Sequence, residues 1–514
     1  MAPPKKESKL GGALIGLGVI GAIWGLLALA AWLAREPPPS SGEDGGPDGA
    51  AGAAEDAATT TDLGTQVVEE LAGSGDASGG DAEATTDGGG THTTTADASV
   101  SDDSGSDAAL SSVARGTAVA YDVCAGSRAR VHAGAIGRGS AASLVVACNG
   151  MAHVVDLAGG QPRVVATLDE PDAEAGMFEV EARPVIADVT GDSLGDVVLG
   201  CSRLSERGGP RLGGAWVVPG VRGAARVGTR PIALGPANVT SLASAELDGR
   251  PGHEILVGHM GNWYANETNE VRVFRGGPRP TRIAAIRTDG TETVSVAAVD
   301  LTEDGRDDLV IAHEARGGLT VLTGDGRGGF GDARSFSDVL AYGAWRVDLD
   351  GDRKSEILLR GERESRLLAG GRDEIPPPRP VALALERVQL PVDVDGDRLT
   401  DVVVALGTDT YFGPEWWDIS VQRSQPGGSF EVLELVRSAF HPIDLAMADL
   451  DGDGALDLAW LGVSHEPAHP ERDRVVLQIA LGISMRAAGA PPREGPTELV
   501  PMPRATHATT VQLR

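Results

Sequence analysis

The sequence predicts an all-β fold, a seven-bladed β-propeller preceded by an N-terminal transmembrane helix and a disordered acidic linker. Three observations carry that prediction. Six acidic loops of nine residues recur, at Asp188–Asp196, Glu246–Glu254, Asp300–Asp308, Asp348–Glu356, Asp393–Asp401 and Asp449–Asp457. Short apolar runs of strand length flank them, as in Pro184–Ala187 before the first loop and Asp308–Ala312 after the third. Successive loops start 58, 54, 48, 45 and 56 residues apart, the length of one four-stranded blade.

Residues 1–35 read as a basic cytoplasmic tip and a signal anchor. Lys5, Lys6 and Lys9 precede an uncharged run from Leu10 to Ala34, long enough to span a bilayer. The basic flank stays inside and everything after it is exported. Ala28-Leu-Ala30 also fits a signal-peptidase site, but the run exceeds the usual signal core, which favours a retained anchor. Both readings place the rest of the chain in the periplasm or outside the cell. Residues 36–112 read as a linker: 17 Asp and Glu, no Lys or Arg, and too few apolar residues for a core.

Residues 113–514 form the propeller. The unit is strand, acidic turn, strand, and blade two lays out as strands near 182–187, 196–201, 214–219 and 229–234. A degenerate copy at Ala135–Ser143 precedes the six acidic loops and makes seven units. It lacks every carboxylate, so blade one folds without binding an ion.

Each acidic loop has oxygen-bearing side chains at positions 1, 3 and 9, and five have Asp at position 5. Oxygens at alternate positions of a tight turn converge, and hard oxygens without nitrogen or sulfur describe a Ca²⁺ site. An EF-hand is excluded: its position 12 needs a bidentate Glu, and here that position is Leu199, Val257, Ile311, Leu359, Val404 or Trp460. The plainer reading is a set of ordinary Asp- and Gly-rich hairpin turns. Their repetition at blade spacing favours ions.

These loops resemble the FG-GAP (VCBS-type) repeat of integrin α-subunit propellers and many bacterial surface proteins. The stretch Gly318–Phe330 is similar to the third strand and turn of that repeat. The resemblance covers roughly residues 114–514. It implies ligands at positions 1, 3, 5 and 9: Asp188, Thr190, Asp192 and Asp196; Asp300, Thr302, Asp304 and Asp308; Asp348, Asp350, Asp352 and Glu356; Asp393, Asp395, Asp397 and Asp401; Asp449, Asp451, Asp453 and Asp457. About five Ca²⁺ sites follow. Blade three departs from the pattern, with Arg250 at position 5 and Pro251 at position 6. The arginine is expected to fill the place of the cation there.

The turns between second and third strands lie at the opposite end of the ring from the acidic loops. Several carry aromatic residues: Trp263 and Tyr264 in blade three, and Tyr411, Phe412, Trp416 and Trp417 in blade six. In a chain only 4% aromatic, these clusters mark a candidate face for a protein or glycan. The resemblance implies the same face. The alternative is packing beneath their own loops.

Cys148, Cys201, His259 and His313 stand five residues after the loop end in four successive units. Cys and His together suggest zinc, but radial neighbours sit too far apart to share one ion. They read as strand-end packing residues. Cys124–Cys148 and Cys148–Cys201 are both permitted disulfides. Net charge is −30, and no basic patch argues for nucleic acid. Four Lys against forty Arg points to a GC-rich, bacterial genome. No nucleophile elbow, zinc-protease or phosphate-loop motif is present, so the reading is not an enzyme. The alternative is a polysaccharide-active, lyase-like enzyme on a calcium-stabilised propeller.

Overall fold

The computed structural model describes residues 118–513, apart from 127, 138–140, 149, 158–161, 170–177, 180, 204–212, 224–225, 262–267, 289–292, 314–317, 362–363, 373, 384–387, 407–416, 465–472, 484–485, 488–498 and 503. The anchor at 1–35 and the linker at 36–112 lie outside them, as do Trp263, Tyr264, Tyr411, Phe412 and Trp416. Among the described residues, no helix is long and apolar enough to cross a membrane.

Seven sheets of four or five strands, antiparallel but for two added outer strands, follow one another along the chain. Blade two is built from Val185–Ala187, Asp196–Arg203, Gly214–Val218 and Ile232–Pro236, close to the layout read from the sequence. Its second strand also pairs with Phe178–Glu179. Blades three to six repeat the pattern in chain order.

The second strands are buried on both faces. Ser143–Cys148, Glu254–His259 and Asp308–His313 are buried at every position. Their alternating side chains therefore face two neighbours, not core and solvent. Val197 and Leu199 join a cluster shared with blade one, whereas Val198 joins one shared with blade three. The described residues form seven such clusters, each between two adjacent blades, with the blade seven–blade one cluster completing the ring.

Closure uses both ends of the described chain. Val119–Ala125 is the fourth strand of blade seven, antiparallel to Arg474–Ala480. The C-terminal segment then adds outer strands to three consecutive blades. Arg486–Ala487 pairs with blade six, Leu499–Pro501 runs parallel to Val119–Ala125, and Arg504–Gln512 runs parallel to Arg163–Asp169 of blade one. A Cys124–Cys148 disulfide joins the closing strand to blade one. Of the two pairings the sequence permitted, this one forms, and Cys201 is buried and takes no part in it.

Candidate metal centres

All six acidic loops sit between first and second strands, so they share one end of the ring. Their backbones are alike. Position 4 has positive φ in every loop: Gly191 (76°), Gly249 (71°), Glu303 (54°), Gly351 (81°), Gly396 (81°) and Gly452 (83°). Position 6 does too in five, at Ser193, Gly305, Arg353, Arg398 and Gly454. Four of the five non-glycine residues with positive φ among the described residues lie in these loops. Such residues cost roughly 1–2 kcal/mol each.

Those two left-handed residues turn backbone amides onto the position 1 carboxylate. Gly191 and Ser193 donate to Asp188 (both 2.7 Å), Gly396 and Arg398 to Asp393 (2.8 and 3.0 Å), and Gly452 and Gly454 to Asp449 (2.7 and 3.0 Å). Position 3 and 5 carboxylates accept amides two residues on, as Asp453 N donates to Asp451 (3.1 Å) and Ala455 N to Asp453 (2.8 Å). The side chains are thereby folded inward.

Position 9 ties the loop to the sheet. Asp196, Glu254, Asp308, Asp401 and Asp457 are fully buried, and Glu356 nearly so. One Asp457 oxygen accepts the Leu450 amide (2.8 Å) and the other the Gly482 amide (2.7 Å), from the turn that follows the third strand. Asp401 does the same with Val394 (2.9 Å) and Ser424 (2.8 Å). Asp196 and Asp308 repeat the arrangement with Gly220 and Gly324. The resemblance marked position 9 as a ligand; its role as the staple between two hairpins was not legible from spacing.

The carboxylates converge. One oxygen each from Asp348, Asp350 and Asp352, from Asp393, Asp395 and Asp401, and from Asp449, Asp451 and Asp453 lies within 4.8 Å of the others in its group. Oxygens about 2.3–2.6 Å from one Ca²⁺ would span that distance. Like charges this close repel by about 3 kcal/mol per pair at an effective dielectric near 20. Burial, and secondarily Asp350, pushes the Glu356 carboxyl up to about 7. Burial likewise pushes Asp401 up to about 6 despite its two amide donors. A cation bound among them would keep these groups ionised.

In blades two and four, position 3 is a threonine and no carboxylate triad forms. Thr190 Oγ1 and Thr302 Oγ1 are nonetheless buried without a hydrogen bond that meets ordinary geometry. They sit beside Asp196 and Asp308, close enough to lower those carboxyls against the upward push of burial. Orphaned neutral oxygens at a ligand position fit a hard cation.

Blade three corrects the sequence reading. Arg250 was expected to fill the place of the cation, but its side chain is 64% exposed and 3.7 Å from Asp248. Arg275, from the third strand, reaches the buried Asp248 carboxylate at 2.8 Å. Oxygens of Glu246, Asp248 and Glu254 converge within 4.8 Å, and Glu254 Oε1 is buried without a partner. The signal for Arg275 was invisible in the loop because it lies 27 residues from Asp248.

At the opposite end, Trp417 opens the third strand of blade six and is half-buried. Its ring meets His441 of blade seven at 5.2 Å between centroids. Trp417 is thus partly a packing residue. Two of the three exposed large apolar side chains among the described residues, Met151 and Tyr342, are at this end, with the Arg360 guanidinium 6.0 Å from the Tyr342 ring. A small apolar cavity between blades one and two is lined by Met151, Leu199, Cys201, Trp216 and Leu513. The strand-end set read from the sequence is used locally: His259 Nδ1 accepts the Asn238 amide (3.0 Å), His313 Nε2 meets Thr320 Oγ1 (3.0 Å), and Cys148 is in the disulfide.

A family model of the FG-GAP-like repeat matches residues 393–460, from the first ligand position of blade six into the second strand of blade seven. The chain carries an FG-GAP-like repeat within a seven-bladed β-propeller. No curated protein matches it. Among solved structures, the FG-GAP propeller is similar to a crystal structure of BBS1N in complex with ARL6DN, soaked with lead, at 11% identity over 72% of this chain and 98% of that one, with a TM-score of 0.39. The FG-GAP propeller has the fold of a ligand-binding or adhesion-type module, and several of its acidic clusters have the geometry to bind metal ions.

Proposed function

We propose that this protein is a membrane-tethered, extracytoplasmic calcium-binding propeller that recognises a protein or glycan through the end opposite its ion loops. Ca²⁺ clamps the hairpins of blades two, four, five, six and seven, and blade one binds none. The observation that carries the calcium reading is the convergence of three carboxylate oxygens within 4.8 Å in each of blades five, six and seven, on loops with left-handed residues at positions 4 and 6. The ligand reading rests on Trp417, Tyr342 and Met151 at the other end, and on the sequence reading of Trp263, Tyr264, Tyr411, Phe412 and Trp416. The protein is read as non-enzymatic, anchored by residues 1–35 and held off the membrane by residues 36–112. Calorimetric titration with Ca²⁺, followed by glycan-array and affinity-capture assays with and without the ion, tests it. Loss of capture in Trp416→Ala/Trp417→Ala supports the face; unchanged capture refutes it.

One observation favours the enzymatic alternative. Where the innermost strands of blades seven, one and two meet, the Arg183 guanidinium holds both oxygens of the buried Asp444, which also accepts the Val131 amide (2.8 Å). Beside them, burial and then Arg183 lower the His132 imidazole to about 4, so it is neutral at pH 7. An unprotonated imidazole beside an arginine-paired carboxylate can accept a proton, though as a weak base. Cleavage of an acidic polysaccharide, abolished by His132→Ala, would establish that reading.

A further inference from the structure

One sector of the ring departs from the charge of the whole. Residues 207–245 hold Arg207, Arg211, Arg222, Arg226 and Arg230 and no Asp or Glu. Residues 271–288 hold Arg272, Arg275, Arg279, Arg282 and Arg287, again with no carboxylate. In a chain of net charge −30, a quarter of the forty arginines fall in these two stretches. They contribute the third and fourth strands of blades two and three. They adjoin in space, because Arg272 Nη1 donates to the Pro236 carbonyl at 2.6 Å. The described arginines of the two stretches therefore lie on two neighbouring blades.

Part of that charge is already used. Arg226 pairs with Asp156 (2.9 Å), Arg272 with Glu270 (2.5 Å) and Arg275 with Asp248 (2.8 Å). Arg222, Arg230, Arg279, Arg282 and Arg287 are exposed and have no ion pair or hydrogen bond among the described residues. Three of them, Arg279, Arg282 and Arg287, lie on or just before the strand Thr281–Arg287, which ends the blade three sheet with no further neighbour among the described residues.

The same fold shows what its outer edges accept. At blades one and seven, extended segments add in parallel to the outermost strands, Arg504–Gln512 on Arg163–Asp169 and Leu499–Pro501 on Val119–Ala125. The outer strands of blades two and five are blunted by Pro236 and Pro380, and that of blade four carries Asp332. Thr281–Arg287 has neither proline nor carboxylate over seven residues. We propose that the outer flank of blades two and three binds an extended acidic segment of a partner protein, which adds as a strand to Thr281–Arg287 while its carboxylates meet Arg279, Arg282 and Arg287. Main-chain hydrogen bonds supply affinity and the guanidinium forks supply selectivity for carboxylates.

The test is fluorescence anisotropy of the full-length chain with a labelled twelve-residue peptide of alternating Val and Glu. A second copy of that peptide is N-methylated at alternate residues and cannot add as a strand. Expected results are saturable binding that weakens at least tenfold in Arg282→Glu/Arg287→Glu, at least tenfold on N-methylation, and with rising salt. The variant's melting temperature confirms that it folds. Binding that survives N-methylation unchanged overturns strand addition. No binding of the peptide, with a sulfated polysaccharide or single-stranded DNA bound instead, overturns the choice of partner. No binding of any polyanion leaves the arginines as edge protection and overturns the proposal.

Discussion

Asp248 of blade three accepts the Arg275 guanidinium at 2.8 Å, in the only acidic loop whose fifth position is not an aspartate. A fixed cation thus stands where the other loops call for a mobile one. Asp248 is almost wholly buried, while Arg275 is one-third exposed. Removing the guanidinium leaves a buried charge with a weaker partner at Arg250. Arg275→Gln should destabilise the propeller by about 1–3 kcal/mol in chelator, discounted from a fully buried pair for solvent screening. Added Ca²⁺ should restore more of that loss in the variant than it adds at blade three of the parent. Thermal melts with EDTA and with Ca²⁺ measure both.

Position 9 separates charge from structure. Asp401→Asn keeps a hydrogen-bonding side chain against Val394 and Ser424 but removes a ligand charge, so blade six should lose its ion with a modest loss of intrinsic stability. Asp401→Ala orphans the buried Ser424 amide and the half-buried Val394 amide and should cost about 2–4 kcal/mol even without ions. Ion stoichiometry by native mass spectrometry and denaturant melts of the two variants separate these outcomes.

The ion-free protein should be less stable at neutral than at mildly acid pH. Glu356 sits near 7 and Asp401 near 6 in the folded chain, both above their ordinary values of 4.5 and 3.8. A carboxyl with a raised folded pKa favours the folded state when protonated. That contribution is present below the unfolded pKa and lost as pH rises to 7. In EDTA, the melting temperature should fall between pH 5 and pH 7.5, and Glu356→Gln should flatten the decline. With Ca²⁺ bound the trend should reverse, because ligands must be ionised.

Cys124–Cys148 ties the closing strand of blade seven to blade one across 24 residues. Cys124→Ser/Cys148→Ser should lower stability by about 3 kcal/mol, on the chain-entropy account. Hydrogen exchange should quicken first in Val119–Ala125, while the second strands of blades three to six keep their protection.

The ring was legible because its signal repeats. Apolar runs such as Asp196–Gly200 and Asp308–Ala312 recur after acidic turns at blade spacing, and all became second strands buried on both faces. The degenerate unit at Ala135–Ser143 became blade one for the same reason, through Ser143–Cys148. What stayed hidden was non-local. Nothing near residue 119 says that it pairs with Ile479, and nothing in Arg504–Gln512 says that it pairs in parallel with blade one. Arg275 reaching Asp248 and Arg183 reaching Asp444 depend on which strands the ring makes adjacent. At Trp417, composition marked an aromatic residue on a turn, but only the neighbouring blade supplies His441.

The most direct measurement is calorimetric titration of the metal-stripped, full-length protein with Ca²⁺ at pH 7.5, paired with a melt before and after. The account predicts about five bound ions per chain and a large rise in melting temperature that EDTA reverses. No bound Ca²⁺, with a melting temperature indifferent to chelator, would show that the carboxylates of the rim are turn formers alone.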